Sequence, residues 1–149
     1  MIKQVIVMRD KYPDGNGGIF HPRKGKMIAQ GAHASIAFLT QKIQELADGK
    51  RCPSWHDGDI WSFMDLSSDV RQWIGDRFTK VCLRVDSEDE LLEIYKEASE
   101  SGLEVHLITD SGQTEFKEPT RTCLAIGPNK AEEIDRITGP NGTHPLKLL

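Results

Sequence analysis

The chain of 149 residues is long enough for one compact domain with a sheet covered by helices. Its formal charge of −4 argues against a uniformly basic nucleic-acid coat. No apolar run approaches the roughly 18 residues a membrane helix needs, and no cleavable signal segment is recognisable, so a cytoplasmic protein is expected.

In chain order, residues 2–8 are nearly continuously apolar and β-branched, as in a strand buried on both faces. The glycine-rich stretch 12–18 that follows reads as a flexible loop. A helix is expected from near Gly25 to Gly49. Its apolar stripe of Ile28, Ala32, Ile36, Leu39, Ile43 and Leu46 forms the core side, and Lys26, Gln30 and His33 stack along a separate polar face. Residues 52–74 carry Trp55, Trp61 and Trp73 among Pro, Gly and Asp; the tryptophans read as packing anchors. Residues 67–73 suggest a short helix.

Residues 79–85 alternate, with Val81, Leu83 and Val85 on one face and Lys80, Cys82 and Arg84 on the other. Ser87 and Glu90 make a capping box for a helix ending at Gly102. Strands over 104–108 and 123–127 follow, and Asn129 with Glu132 is expected to cap a final helix that stops at Gly139. Alternating strands and helices imply an α/β sandwich.

The three cysteines, Cys52, Cys82 and Cys123, are widely spaced and lack a C-x-x-C pair, so they read as small buried side chains rather than disulfide or zinc partners. His56-Asp57-Gly58-Asp59 has no partner spacing for a metal and reads as a loop. No metal site and no cofactor are expected. The absence of a G-x-S-x-G elbow or a Cys-His context leaves covalent catalysis without support.

Two stretches carry the chemistry. Arg23-Lys24-Gly25-Lys26 places cations at a helix start, where free N–H groups and the dipole also attract phosphate. Ninety residues on, Leu107-Ile108-Thr109-Asp110-Ser111-Gly112-Gln113-Thr114-Glu115-Phe116 runs off the third strand, so Asp110 sits at the carboxyl rim of the sheet, where ligands gather. The first strand ends at that same rim, so Lys26 and Asp110 are expected to meet.

These stretches, with Pro119-Thr120-Arg121-Thr122-Cys123-Leu124-Ala125-Ile126-Gly127-Pro128, Ile134-Asp135-Arg136-Ile137-Thr138-Gly139 and the closing Leu146-Lys147-Leu148-Leu149, resemble the archaeal and eukaryotic (second) type of peptidyl-tRNA hydrolase. The resemblance spans the first strand, the first helix and nearly everything from Phe78 onward. It implies a three-layer α/β sandwich with a mixed four-stranded sheet and helices on both faces. The whole chain, 1–149, would then be one such domain with an insertion around residues 47–77. The implied activity is hydrolysis of the ester between a peptide and the 3′ ribose of tRNA, by direct water attack and without a cofactor. The positions matching the family's catalytic set are Lys26, Asp110, Thr114 and Thr122, and a homodimer is implied. Departures from the pattern are Arg77-Phe78, Glu115 in place of Gln, Pro119 in place of Gly, and the stretch from Asn141 to Pro145.

On this reading Asp110 orients the water and fixes Lys26, the Lys26 ammonium and Thr114 bear the developing oxyanion charge, and Thr122 positions substrate or water. A neutral Lys26 acting as base is the other assignment. Gln30 and His33 support the site, and Arg23 and Lys24 contact tRNA phosphate near the acceptor end. The competing functions are an aminoacyl-tRNA hydrolase or related esterase on the same scaffold, and a non-catalytic RNA-binding module.

Overall fold

A computed structural model describes residues 1–47 and 66–149. Strand β1 (Ile2–Arg9) is buried along its whole length, as its largely apolar run predicts, and its polar residues Lys3, Gln4 and Arg9 are buried with hydrogen-bond partners. It is followed by a hairpin of two short strands, β2 (Tyr12–Pro13) and β3 (Ile19–Phe20). The expected flexible loop is therefore an ordered turn, pinned by Asp14 Oδ1, which accepts from the N–H groups of Asn16 and Gly18.

Helix α1 spans Lys24–Ala47 and α2 spans Ser68–Gly75, the latter capped by the Ser67 hydroxyl. Strand β4 (Lys80–Val85) leads into α3 (Glu88–Glu100), where Ser87 Oγ accepts from Glu90 N–H as the capping box predicts. Strands β5 (Val105–Asp110) and β6 (Thr120–Lys130), helix α4 (Ala131–Thr138) and the two-residue β7 (Lys147–Leu148) complete the chain.

The sheet order is β5-β6-β1-β4-β7, with β1 and β4 parallel and the remaining pairs antiparallel. The sheet is thus mixed but has five strands rather than four. The fifth strand is a two-residue pairing of Lys147 and Leu148 with β4, too short to leave a periodic signal. One face packs Val5, Val7, Leu124 and Ile126 against Leu91, Ile94 and Ala98 of α3 and Ile134 and Ile137 of α4. The other packs Ile6, Met8, Cys123 and Ala125 against Met27 and Ala34 of α1, while Ile2 joins Phe38, Val70 and Trp73 where α1 meets α2. This is a three-layer sandwich.

Two expectations are corrected, and a third holds where it can be followed. The final helix begins only at Ala131, and its cap residue Lys130 makes no side-chain capping bond; Asn129 instead accepts from Glu104 N–H and ties β6 to the start of β5. Cys123 is buried, but Cys82 is exposed on the polar face of β4; Cys52 lies outside the described residues. Trp73 is an anchor, 1% exposed with its indole N–H on Thr79 O; Trp55, Trp61 and His56-Asp57-Gly58-Asp59 also lie outside the described residues.

The largest correction concerns the rotation of α1. Its expected core stripe is largely in solvent, with Ile28 72%, Ile36 49% and Ile43 45% exposed, while Gln30, Ala34, Ala37 and Phe38 face inward. The two alanines let the helix approach a sheet face already filled by Ile6, Met8, Cys123 and Ala125. Gln30 tolerates burial because both ends of its amide find partners there.

Candidate active site

Asp110 is the last residue of β5 and lies at the carboxyl rim, as the topology predicts. The main chain turns sharply after it. Gly112 adopts φ +81°, and a Cβ there would lie 2.5 Å from the carbonyl carbon of Glu118, so only glycine fits. Its N–H donates to Asp110 Oδ1 at 3.0 Å, an Asx turn that fixes the carboxylate plane.

The second oxygen takes two donors from α1. Lys26 Nζ, from the first turn, makes a short hydrogen-bonded ion pair with Asp110 Oδ2, and Gln30 Nε2, one turn later, donates to the same oxygen at 3.0 Å. Both charged side chains are largely withdrawn from water, at 14% and 9% exposure. Lys26 Nζ also donates to Thr114 Oγ1 at 3.0 Å and stands 5.6 Å from the centre of the Phe116 ring. Burial taken alone would raise the Asp110 carboxyl. The Lys26 hydrogen bond and charge, the Gly112 N–H and the Gln30 amide outweigh it and hold the group below the usual carboxylate range.

Thr122 lies behind this layer. It is 1% exposed, and its hydroxyl donates to Gln30 Oε1 at 2.6 Å. In a regular strand Thr122 and Cys123 would point to opposite faces. The β5–β6 register shifts here, with Ile108 opposite Cys123 but Thr109 opposite Arg121, so Thr122 is the extra residue of a bulge. The bulge turns its hydroxyl toward α1, where the Cys123 thiol also donates to Gln30 O. The expectation that Thr122 meets substrate or water is therefore at odds with its burial; its reach toward the rim runs through Gln30.

Neighbouring groups define the rest of the site. Tyr12, Phe20 and Phe116 form an aromatic cluster that seats the β2–β3 hairpin beside Lys26, and the Tyr12 hydroxyl donates to Thr122 O at 3.4 Å. Sequence reasoning did not single out Tyr12 or Phe116, although aromatics flanking a glycine turn and a Thr-Glu-Phe motif were a legible signal. Burial keeps the Tyr12 phenol well above its ordinary value and pushes the Cys123 thiol up to about 12, so neither is a nucleophile near neutrality.

His33 is exposed and makes no hydrogen bond to the Lys26–Asp110 cluster; it lies on the wall of a groove that starts at Gln30 and Asp110. Arg23 and Lys24 are exposed at the start of α1. Glu115 sits at that helix start, accepting from Arg23 N–H at 3.1 Å, with its other oxygen 3.8 Å from Arg23 Nε. Among the described residues no group of three His, Cys, Asp or Glu is placed to hold a metal ion.

The arrangement combines a buried cation, a carboxylate with one oxygen still able to accept, and a hydroxyl at the open rim. That set can polarise a carbonyl and orient a water. Residues 2–142 match the family model described as peptidyl-tRNA hydrolase PTH2. The chain is 37% identical to a protein named peptidyl-tRNA hydrolase from Methanocaldococcus jannaschii, over 99% of this chain and 100% of the relative. A protein of the same name from Methanothermobacter thermautotrophicus is 36% identical with the same coverage. One from Nanoarchaeum equitans is 35% identical over 93% of this chain and 96% of its own length.

Proposed function

The chain belongs to the peptidyl-tRNA hydrolase PTH2 family, and on that premise we propose how its residues hydrolyse the ester joining a peptide to the 3′ ribose of tRNA. Water attacks the ester carbonyl directly. Asp110 Oδ1, which accepts only the Gly112 N–H, takes a hydrogen bond from the water and aims its oxygen at the carbonyl carbon. The Lys26 ammonium and the Thr114 hydroxyl stabilise the oxyanion that forms as the water–carbon bond is made. The bond to the ribose 3′ oxygen then breaks; one proton of the attacking water passes to that oxygen, which leaves as a free hydroxyl, and the other stays with the new peptide carboxylic acid and goes to solvent as the acid ionises.

Gln30 and Thr122 act as positioning residues in this scheme, since one holds the carboxylate and the other holds the amide. The scheme uses these side chains and water alone. A depressed carboxyl is a weak base, which favours Asp110 as an orienting and electrostatic group. Lys26 Nζ is engaged as a donor to both Asp110 and Thr114, a geometry that suits a group stabilising an oxyanion. His33 supports the site from the groove wall. Arg23 and Lys24 meet acceptor-end phosphate, Arg23 doing so in competition with Glu115.

The observation carrying this reading is the half-buried Lys26–Asp110 pair at the rim, assembled from two distant stretches and held by Thr114 and Gln30. The test is release of peptide from an N-acylated aminoacyl-tRNA, measured beside the unacylated form. Turnover of the acylated substrate alone is expected. Preference for the unacylated form would make the protein an aminoacyl-tRNA hydrolase, and tight binding without turnover would make it an RNA-binding module.

The family match over residues 2–142 supports reading the chain, 1–149, as a single domain, within which we place an insertion around residues 47–77. We place the protein in the cytoplasm, where translation supplies its substrate; no helix among the described residues is long and apolar enough to cross a membrane. The exposed Ile28, Ile36 and Ile43 give a homodimer an apolar face to cover, which sedimentation would test.

A further inference from the structure

Beyond the end formed by Gln30, His33 and Asp110, the groove between α1 and β5 has no part in the chemistry described above. Its volume is about 560 Å³, and it opens directly from Gln30 and Asp110. One wall is a single face of α1, with Gln30, His33, Ala37, Thr40 and Gln44 on it; from Gln30 to Gln44 the helix advances about 21 Å. The other wall consists of five consecutive residues, 107–111. Alternate side chains of a strand point to opposite faces, so consecutive residues border one cavity through the edge of the strand.

Among the described residues β5 is the last strand of the sheet and pairs with β6 alone, which leaves its outer edge unpaired by them. Glu104 O accepts from Gly127 N–H at 2.7 Å, so alternation along the antiparallel ladder turns the N–H and C=O of Val105 and Leu107 away from β6. Among the described residues that line the groove there is no Lys or Arg, and Asp110 is the sole carboxylate. It does not suit a phosphate backbone, and the exposed cations Arg23 and Lys24 lie at the start of α1, outside it.

We propose that this groove holds the peptide part of the substrate, in extended form, as a strand added to the outer edge of β5. The inference rests on the proposed hydrolysis of peptidyl-tRNA and deepens it. The acyl carbonyl lies at Asp110 and Lys26, so the upstream residues run back toward Leu107 and the added strand is parallel to β5. At about 3.3 Å per residue, the wall from 107 to 111 accommodates four or five peptide residues. Main-chain pairing reads no side chains, so one site takes nascent peptides of any sequence. The uncharged Thr40, Gln41 and Gln44 leave room and hydrogen-bonding capacity for varied side chains on the helix side.

The experiment uses the full chain and tRNAs carrying N-acetylated peptides of one, two, three and five Gly or Ala residues. KM should fall about tenfold between one and three residues, equivalent to about 1.4 kcal/mol, and level off by five. N-methylation of the peptide amides should erase the gain, whereas exchanging Ala for Val should not. Thr40→Trp, which fills the groove from the helix side, should bring the three-to-one ratio of kcat/KM close to unity. A KM independent of length, or a gain indifferent to N-methylation, overturns the proposal while leaving the hydrolase reading intact. If no member of the series is turned over, that reading falls and the inference falls with it. If Thr40→Trp dissociates a dimer in sedimentation and leaves the length dependence unchanged, the edge belongs to a second copy of the chain and the proposal is wrong.

Discussion

Gln30→Leu separates the proposed positioning role from a merely structural one. In the wild type the Gln30 amide nitrogen donates to Asp110 and its oxygen accepts from the buried Thr122 hydroxyl. Leu removes both bonds with a side chain of comparable length. The bond to the carboxylate contributes about 1.5–3 kcal/mol, and the orphaned Thr122 hydroxyl costs a further 1–3 or so. We expect a loss near ~3 kcal/mol, which for a chain of this size lowers Tm by roughly 6–12 °C. Adding Thr122→Val deletes the orphaned hydroxyl, so the double variant should regain about 1–2 kcal/mol over Gln30→Leu. Activity should not follow stability: Asp110 has lost one of its holders in both variants, and kcat should stay about ten- to hundredfold down. Urea denaturation gives the stabilities, and release of N-acetylated amino acid from tRNA gives kcat. A double variant no more stable than Gln30→Leu, or a kcat for Gln30→Leu within twofold of wild type, would refute the reasoning.

Lys26→Ala or Asp110→Ala should each lower kcat by roughly 10²-fold or more while the fold survives, because both lie at the rim; wild-type rates in circular-dichroism-normal variants would remove the mechanism. The carboxyl of Asp110 is held below its usual value near about 3.9. Its contribution to stability is therefore present above the unfolded-state pKa and lost only as pH falls through the lower folded one. Activity should keep its Asp110-dependent part to the acid side of that usual value, and Lys26→Met should move the acid limb of kcat/KM to higher pH; an unmoved limb would assign it to another group. Arg23→Glu with Lys24→Glu should raise KM for the tRNA substrate and spare a small ester lacking RNA, whereas Glu115→Gln, which releases Arg23 from its carboxylate partner, should lower KM a few-fold at low salt. Opposite signs in this pair would place the tRNA on another face. Full activity after EDTA treatment is expected, and a loss restored by one divalent ion would direct attention to His56-Asp57-Gly58-Asp59.

The sequence by itself determined the order and type of the main elements. It also pointed to Lys26 and Asp110 sharing one rim, since the position of each residue relative to its strand is local, while the common direction of β1 and β5 comes from their pairing on either side of β6. The Ser87–Glu90 cap and the doubly buried first strand were legible for the same reason. Only the tertiary structure decided the rotation of α1. Periodicity reveals that a helix has distinct faces, but Ile28–Ile36–Ile43 and Ala34–Ala37–Phe38 are both apolar, and the sheet's need for small residues selected the second. That choice carried Gln30 inward. The role of Thr122 depended on a bulge created by a one-residue register shift between β5 and β6, which no run of side-chain types announces. The site is thus readable as a set of residues from the chain, while the order in which they hold one another follows from long-range packing.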